Sequence, residues 1–150
     1  MELKDEIVIN ASRAAVYAAL NDAEVLKDCI PGCEEITKNS DTDLEALVVL
    51  KIGPVKAKFR GKVTLDPKNP PEEFSLTGEG NGGAAGFAKG GADVVLEEHA
   101  EGTLLRYEAK ADIGGKLAQL GSRLVQGTAK KLSGMFFDNL AQKLNAGSAA

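Results

Sequence analysis

The chain closes on thirty residues of helical pattern, "KLAQLGSRLVQGTAKKLSGMFFDNLAQKLN" from Lys116 to Asn145. At about 100° per residue, Leu117, Leu124, Val125, Thr128, Ala129, Leu132, Met135 and Phe136 fall on one broad arc. Gln119, Arg123, Gln126 and Lys130 take the opposite side. A helix this long with so wide an apolar face must bury it against something. Gly121 sits within the arc, and Gly127 and Gly134 line one flank. Each costs about 0.5–1 kcal/mol relative to alanine in a helix interior. Such a loss asks for a tertiary reason, and close approach of the helix to a sheet is the simplest one.

The upstream residues supply that sheet. "ELKDEIVIN" alternates and then turns β-branched, which predicts a strand. Ser12 is a candidate cap for "ASRAAVYAALND", and a second short helix, "AEVLKDCI", stops at Pro31-Gly32. Cys33–Asn39 and Asp43–Ile52 read as strands around the turn "NSDTD". After Gly53-Pro54, "VKAKFRGKVTLD" sets Val55, Ala57, Phe59, Val63 and Leu65 against a basic row of Lys56, Lys58, Arg60 and Lys62. Such a row is a solvated face that guards a sheet against edge pairing. "EEFSLTGEG", "FAKGGADVVLEEH" and "TLLRYEAKADIG" follow as strands joined by turns. Tight turns imply one antiparallel sheet with a single wet face, and the long helix then lies across its concave side as a two-layer α+β domain. The expected unit is one domain over 1–146 with a short disordered tail at 147–150.

Seven of the seventeen glycines lie between Gly78 and Gly91. A phosphate loop needs G-x-x-x-x-G-K-[ST], but Lys89 follows Ala88 and precedes Gly90. Gly78, Gly80 and Gly83 fit G-x-G-x-x-G, yet a β-type run follows where that fingerprint requires a helix. The remaining reading is geometric: glycines let bent strands fold over and let a helix or ligand approach backbone. A net charge of −4 argues against nucleic acid. Cys29 and Cys33, three residues apart, form neither a C-x-x-C motif nor half of a zinc site, and are expected as two buried thiols. His99, the only histidine, sits in a polar turn without a nucleophile near in sequence. Glu73, Glu79, Glu97 and Glu98 are expected at edges and turns. No catalytic residue and no metal ligand is assigned.

Four motifs narrow the fold: "IPGCEE" at Ile30–Glu35, "GPVKAKFRGKVTL" at Gly53–Leu65, "GEGNGGAAGFAKGGADVVL" at Gly78–Leu96 and "GGKLAQLGSRLVQGTAKKLSGMFFDNL" at Gly114–Leu140. In this order, from Met1 to about Leu144, the chain resembles the carbon monoxide dehydrogenase G-subunit (CoxG) family of the START-like (SRPBCC) superfamily. The resemblance implies a helix-grip (START/Bet v 1-like) fold. In it, a curved antiparallel sheet of about six to seven strands wraps a long C-terminal helix, with two short helices after the first strand. It also implies an accessory protein of a molybdenum hydroxylase such as carbon monoxide dehydrogenase. Its cavity would bind a quinone or lipid-like molecule, menaquinone for example, and link the enzyme to the membrane quinone pool. No covalently bound cofactor is implied. The expected location is cytoplasmic and peripheral to the inner face of the membrane, with a homodimer as a candidate assembly. Some members carry a further C-terminal tail with a hydrophobic anchor; the pattern here reaches Ala150 without one, so peripheral contact is the expected mode. Alternative readings are a cyclase or aromatase-like enzyme and a protein–protein adaptor or maturation factor.

The residues themselves favour a hollow interior: aromatics are only 5%, there is no Trp, and small residues recur at Gly82–Gly86, Ala88 and Gly121. Tight backbone packing would use the same residues. Candidate lining on the helix side is Leu117, Leu120, Gly121, Leu124, Thr128, Leu132, Met135 and Phe136. On the sheet side it is Val48, Leu50, Phe59, Phe74, Leu76, Phe87 and Tyr107. Plain core packing would place each of these equally well. Tyr107, Thr128 and Asn139 are candidate polar anchors. Phe137 projects toward the polar side of the helix as a candidate exposed contact.

Overall fold

The computed structural model describes residues 1–149. Strand β1 (Glu2–Ile9) leads into helices α1 (Arg13–Leu20) and α2 (Ala23–Cys29). Six strands follow: β2 (Cys33–Lys38), β3 (Asp43–Ile52), β4 (Val55–Asn69), β5 (Glu73–Asn81), β6 (Phe87–His99) and β7 (Gly102–Gly114). Helices α3 (Lys116–Gln119) and α4 (Ser122–Ala149) end the chain. The expected tail at 147–150 thus begins on the last turn of α4, and Ala150 lies outside the described residues. All seven strands form one antiparallel sheet in the order β1-β7-β6-β5-β4-β3-β2. Strands β2 to β7 are a meander of turns, whereas β1 pairs with β7 from Glu2↔Lys110 to Ile9↔Thr103. Helices α1 and α2 carry the chain from one edge of the sheet to the other.

Local chemistry sets these elements. The Ser12 hydroxyl accepts from the Ala15 amide at 3.2 Å, and the Asp22 carboxylate accepts from Glu24 and Val25 at 2.9 and 3.4 Å, so each short helix has its cap. The glycine-rich run has a strand-to-strand cause. A Cβ at Gly90 would stand 2.0 Å from the Lys110 carbonyl oxygen on β7. Gly86, at φ +115°, presses in the same way on Gly114. Here β6 and β7 approach too closely for any side chain. The backbone these glycines admit belongs to neighbouring strands and to Gly115, before α3, and α4 plays no part.

The hydrophobic core is solid at one end of the sheet. There Ile9, Val16, Leu20, Cys29, Phe74, Leu96, Leu105 and Leu140 are buried together, bringing α1, α2 and the C-terminal half of α4 onto β1, β5, β6 and β7. Thr103 is buried in this region, and its hydroxyl donates to the Ala11 carbonyl at 2.7 Å. Three contacts fasten α4: Gln126 donates to the Glu2 carbonyl at 2.6 Å, Asn139 to the Cys29 carbonyl at 3.0 Å, and Lys143 pairs with Asp28. At the other end, pairing between β4 and β5 stops at Arg60↔Asn81, while β3 and β4 continue to Ile52↔Val55. The β3–β4 hairpin therefore overhangs the sheet. Its tip reaches α4, because a Cβ at Gly53 would lie 3.1 Å from a methyl of Leu124.

Two expectations about the terminal helix are corrected. It is broken at Gly121, whose φ of +94° separates α3 from α4. Gly127 and Gly134 are exposed, and a Cβ at either would meet nothing within 4 Å outside its own helix backbone. Those two glycines face open space, so no close approach to the sheet explains them. The break also puts Leu117 on α3, so it cannot help define the inward face of α4. That face runs through Val125, Ala129, Leu132, Phe136, Leu140 and Leu144, which are buried or half-buried. Its centre lies about 70° from that of the expected arc at 100° per residue, and Val125, Ala129, Leu132 and Phe136 belong to both. Leu124 and Met135 are consequently 40% and 42% exposed.

Candidate ligand-binding site

Past the solid core the interior opens into a cavity of about 430 Å³. Alternation of side chains along the strands turns Val48 and Leu50 of β3, Val63 and Leu65 of β4, Phe74 and Leu76 of β5, Ala92 and Val94 of β6, and Leu105, Tyr107 and Ala109 of β7 into it. Leu26, Ile30 and Pro31 close one side from α2 and the turn after it. Leu132, Ser133, Phe136 and Phe137 roof it from α4. Ala92 and Ala109 are register partners on β6 and β7, and they leave the floor low where bulkier residues would fill it.

Aromatic contacts shape one wall. Phe137 stacks on Tyr107 with ring centroids 5.1 Å apart and planes at 25°, and Phe136 meets Phe137 edge-on at 5.1 Å. Tyr107 and Ser133 bring hydroxyls to the cavity, and the exposed Glu45 is the charged residue of a lining otherwise apolar. Burial pushes the Tyr107 phenol above its ordinary range; a hydrogen bond with Ser133 acts against that shift, and the Asp5 carboxylate adds to it. The phenol is therefore a protonated donor at neutral pH. Among the described residues no group of three His, Cys, Asp or Glu could hold a metal ion. Cys29 is buried and Cys33 only half-buried, and neither is in a disulfide, so the expected pair of buried thiols holds for the first alone. The four glutamates expected at edges and turns lie on β5 and β6. Glu73 and Glu97 adjoin the inward, buried Phe74 and Leu96, which turns them to the outer face.

Of the fifteen expected lining residues, the cavity brings together Val48, Leu50, Phe74, Leu76, Tyr107, Leu132 and Phe136. The others lie elsewhere. Leu117 is buried on α3, which packs against β7 and the Gly83–Ala85 turn. Leu120 is half-buried after α3, and Gly121 is the exposed junction. Leu124 and Met135 turn outward on the far flank of α4, and Thr128 is half-buried outside the lining. Phe59 packs its ring over Gly82, and Phe87, 49% exposed, leans over Gly114 on the outer face. Phe137 is the opposite correction, since it points inward onto Tyr107. Asn139 spends its amide on the Cys29 carbonyl. Sequence reasoning misses Val63, Leu65, Ala92, Val94, Leu105 and Ala109 on the sheet, Ser133 and Phe137 on α4, and the α2 wall. The "IPGC" turn is a usable signal for that wall, since a stop at Pro31 leaves Leu26 and Ile30 beside the sheet.

Comparison with known proteins comes down on the same architecture. Residues 6–145 match the family described as the carbon monoxide dehydrogenase G subunit (CoxG). A crystal structure of a conserved protein from Geobacillus kaustophilus superposes with a TM-score of 0.90 at 27% identity, covering 97% of this chain and 96% of that one. TTHA0849 from Thermus thermophilus gives 0.76 at 19% identity, covering 99% of both chains. Ara h 8.0201 gives 0.69 at 14% identity over 97% of this chain and 98% of that one, which shows the shared Bet v 1-like, helix-grip fold. No curated protein matches the sequence.

Proposed function

This chain belongs to the CoxG family of carbon monoxide dehydrogenase, and we propose that it is a non-catalytic carrier of a quinone-like molecule for a molybdenum hydroxylase. One observation carries the reading: an apolar cavity of about 430 Å³ whose wall presents a protonated phenol beside stacked aromatic rings. That volume falls within the ~300–1,000 Å³ of small-molecule sites. A quinone ring is flat and apolar and carries carbonyl oxygens that accept hydrogen bonds. Tyr107, with Ser133 next to it, is the donor for such an oxygen, and Phe136 and Phe137 supply ring contacts. Burial holds the phenol protonated, so it donates without moving a proton to its guest. In this reading the carrier links its enzyme to the quinone pool of a membrane. Among the described residues no helix is long and apolar enough to cross one.

The test is native mass spectrometry of freshly purified protein, organic extraction, and titration of delipidated protein with menaquinone. One equivalent of quinone, carried over or taken up, is the expected result. A protein that carries no quinone and takes up none when offered it ends the proposal.

A further inference from the structure

Charge is spread unevenly between the two ends of the sheet, although exposed Glu79 and Asp112 stand toward the basic end and Lys38 and Lys68 at the acidic one. Asp43 opens β3, Glu73 opens β5, and exposed Asp41, Asp66, Glu72, Glu98 and Glu101 crowd the turns at that same end of the sheet. The opposite end carries the overhanging β3–β4 hairpin, where Lys51 and Lys56 face each other in register and Lys58 follows on the same face. Like charges directly opposite in a sheet are destabilising, and nothing local offsets them. Among the described residues Lys51, Lys56, Lys116 and Arg123 have no acidic partner within 4.0 Å, and Lys58 reaches only Glu34, at that limit. Lys116 and Arg123 belong to this end because β7 runs out there into α3, and Leu124 meets the hairpin tip at Gly53. Exposed apolar groups accompany the cations: Leu124 at the tip, and Phe87 where β6 begins. Leu50, on the same hairpin, lines the cavity.

We propose that this lysine-bearing hairpin end is the face that docks on a membrane of anionic phospholipid, setting the cavity beside its supply of ligand. The inference rests on the carrier reading, since an apolar guest that water does not dissolve must be collected from a bilayer. Charge complementarity selects the occupant. Clustered basic residues are attracted to anionic headgroups within a Debye length, and exposed Phe and Leu side chains enter the interface. A net charge of −4 does not oppose this, because the acidic end points away and orients the molecule.

The experiment is co-sedimentation of the full chain with vesicles of phosphatidylcholine alone or mixed with phosphatidylglycerol, at low and at high salt. Binding is expected only to the mixed vesicles and only at low salt. The Lys51→Ala/Lys56→Ala/Lys58→Ala variant is expected to lose about a hundredfold in partitioning, from roughly fivefold per lysine. Lys38→Ala/Lys68→Ala, at the acidic end, is expected to leave binding unchanged, with circular dichroism confirming both folds. Equal binding to both lipids, an unaffected triple variant, or capture of the hairpin end by the hydroxylase in place of vesicles overturns the proposal. Menaquinone titration in detergent reads the carrier function separately: uptake that survives in a chain blind to vesicles sinks the docking face alone.

Discussion

Replacing Ala92 by leucine asks the cavity directly whether it is hollow. Ala92 sits opposite Ala109 in the β6–β7 register, and both line the space beneath Leu132 and Phe136. Leucine adds three carbons, which at about 30 Å³ each, the volume share of a water, take up ~90 Å³ of the roughly 430 Å³ available. At ~0.8 kcal/mol per buried methylene, complete burial stabilises by about 2.4 kcal/mol. Contact on one side only brings that to about 1–2 kcal/mol. For a domain of this length such a gain raises Tm by about 2–8 °C. If the protein's own side chains filled the space, the same substitution would be overpacking and would cost ~1–3 kcal/mol. The two cases thus differ in sign. Thermal unfolding of ligand-free protein by circular dichroism reads the first effect, and menaquinone titration reads the second, where affinity is expected to fall at least tenfold. A lowered Tm together with unchanged uptake would refute both the void and its use.

Tyr107→Phe is expected to keep the stacking on Phe137 and lose the donor, weakening quinone binding by about 5–10-fold, the worth of one hydrogen bond of ~1–1.5 kcal/mol. Because the folded phenol titrates above its ordinary value, its share of stability is present below that value and lost as pH rises through the folded one. The phenylalanine variant should therefore lose less stability above about pH 10, measured by urea unfolding. Asp28 has the opposite sign: its hydrogen bond and charge contact with Lys143 hold its pKa below the ordinary carboxylate value. Its contribution is present above that ordinary value and lost as pH falls through the folded one, so Asp28→Asn should flatten the acid limb of the stability curve. Gly127→Ala and Gly134→Ala, facing open space on α4, are each expected to stabilise by ~0.5–1 kcal/mol. Gly90→Ala, which would force a Cβ to 2.0 Å from the Lys110 carbonyl, is expected to cost more than ~2 kcal/mol in the same unfolding assay.

The strands are legible because their signals are local. β3 and β6 have the limits that alternation and turn residues predict, and the others differ by a few residues at an end. Ser12 caps the helix it is expected to cap. The lining is partly legible on the sheet side, where a period of two fixes the face: Val48, Leu50, Phe74, Leu76 and Tyr107 line the cavity, but Phe59 and Phe87, toward the glycine-rich end, do not. On the helix side one part of the failure comes from carrying phase across Gly121. A single left-handed residue there uncouples Leu117 from everything after it, and nothing in an apolar count reports a φ of +94°. The same count places Leu124 and Met135 inward and Phe137 outward; all three lie within α4 and are reversed because contacts with α2 and β7, which no apolar count contains, set which flank of the helix turns inward.

By itself the amino-acid order determined the elements, the antiparallel meander, the need for a helix to cover one face, and the scarcity of large side chains to fill the gap. Each of these follows from chemistry within a few positions along the chain. Only tertiary structure decided which face of α4 meets the sheet and that Phe137 lies on Tyr107. It alone showed that the crowded glycines serve strand against strand, and that three lysines stand together at one end. The setting of α4 depends on contacts between residues more than a hundred positions apart, such as Asn139 on the Cys29 carbonyl and Gln126 on that of Glu2, and the other outcomes depend on which strands and helices are brought side by side. Rotating α4 about its axis changes every side chain's neighbour and leaves every local preference satisfied.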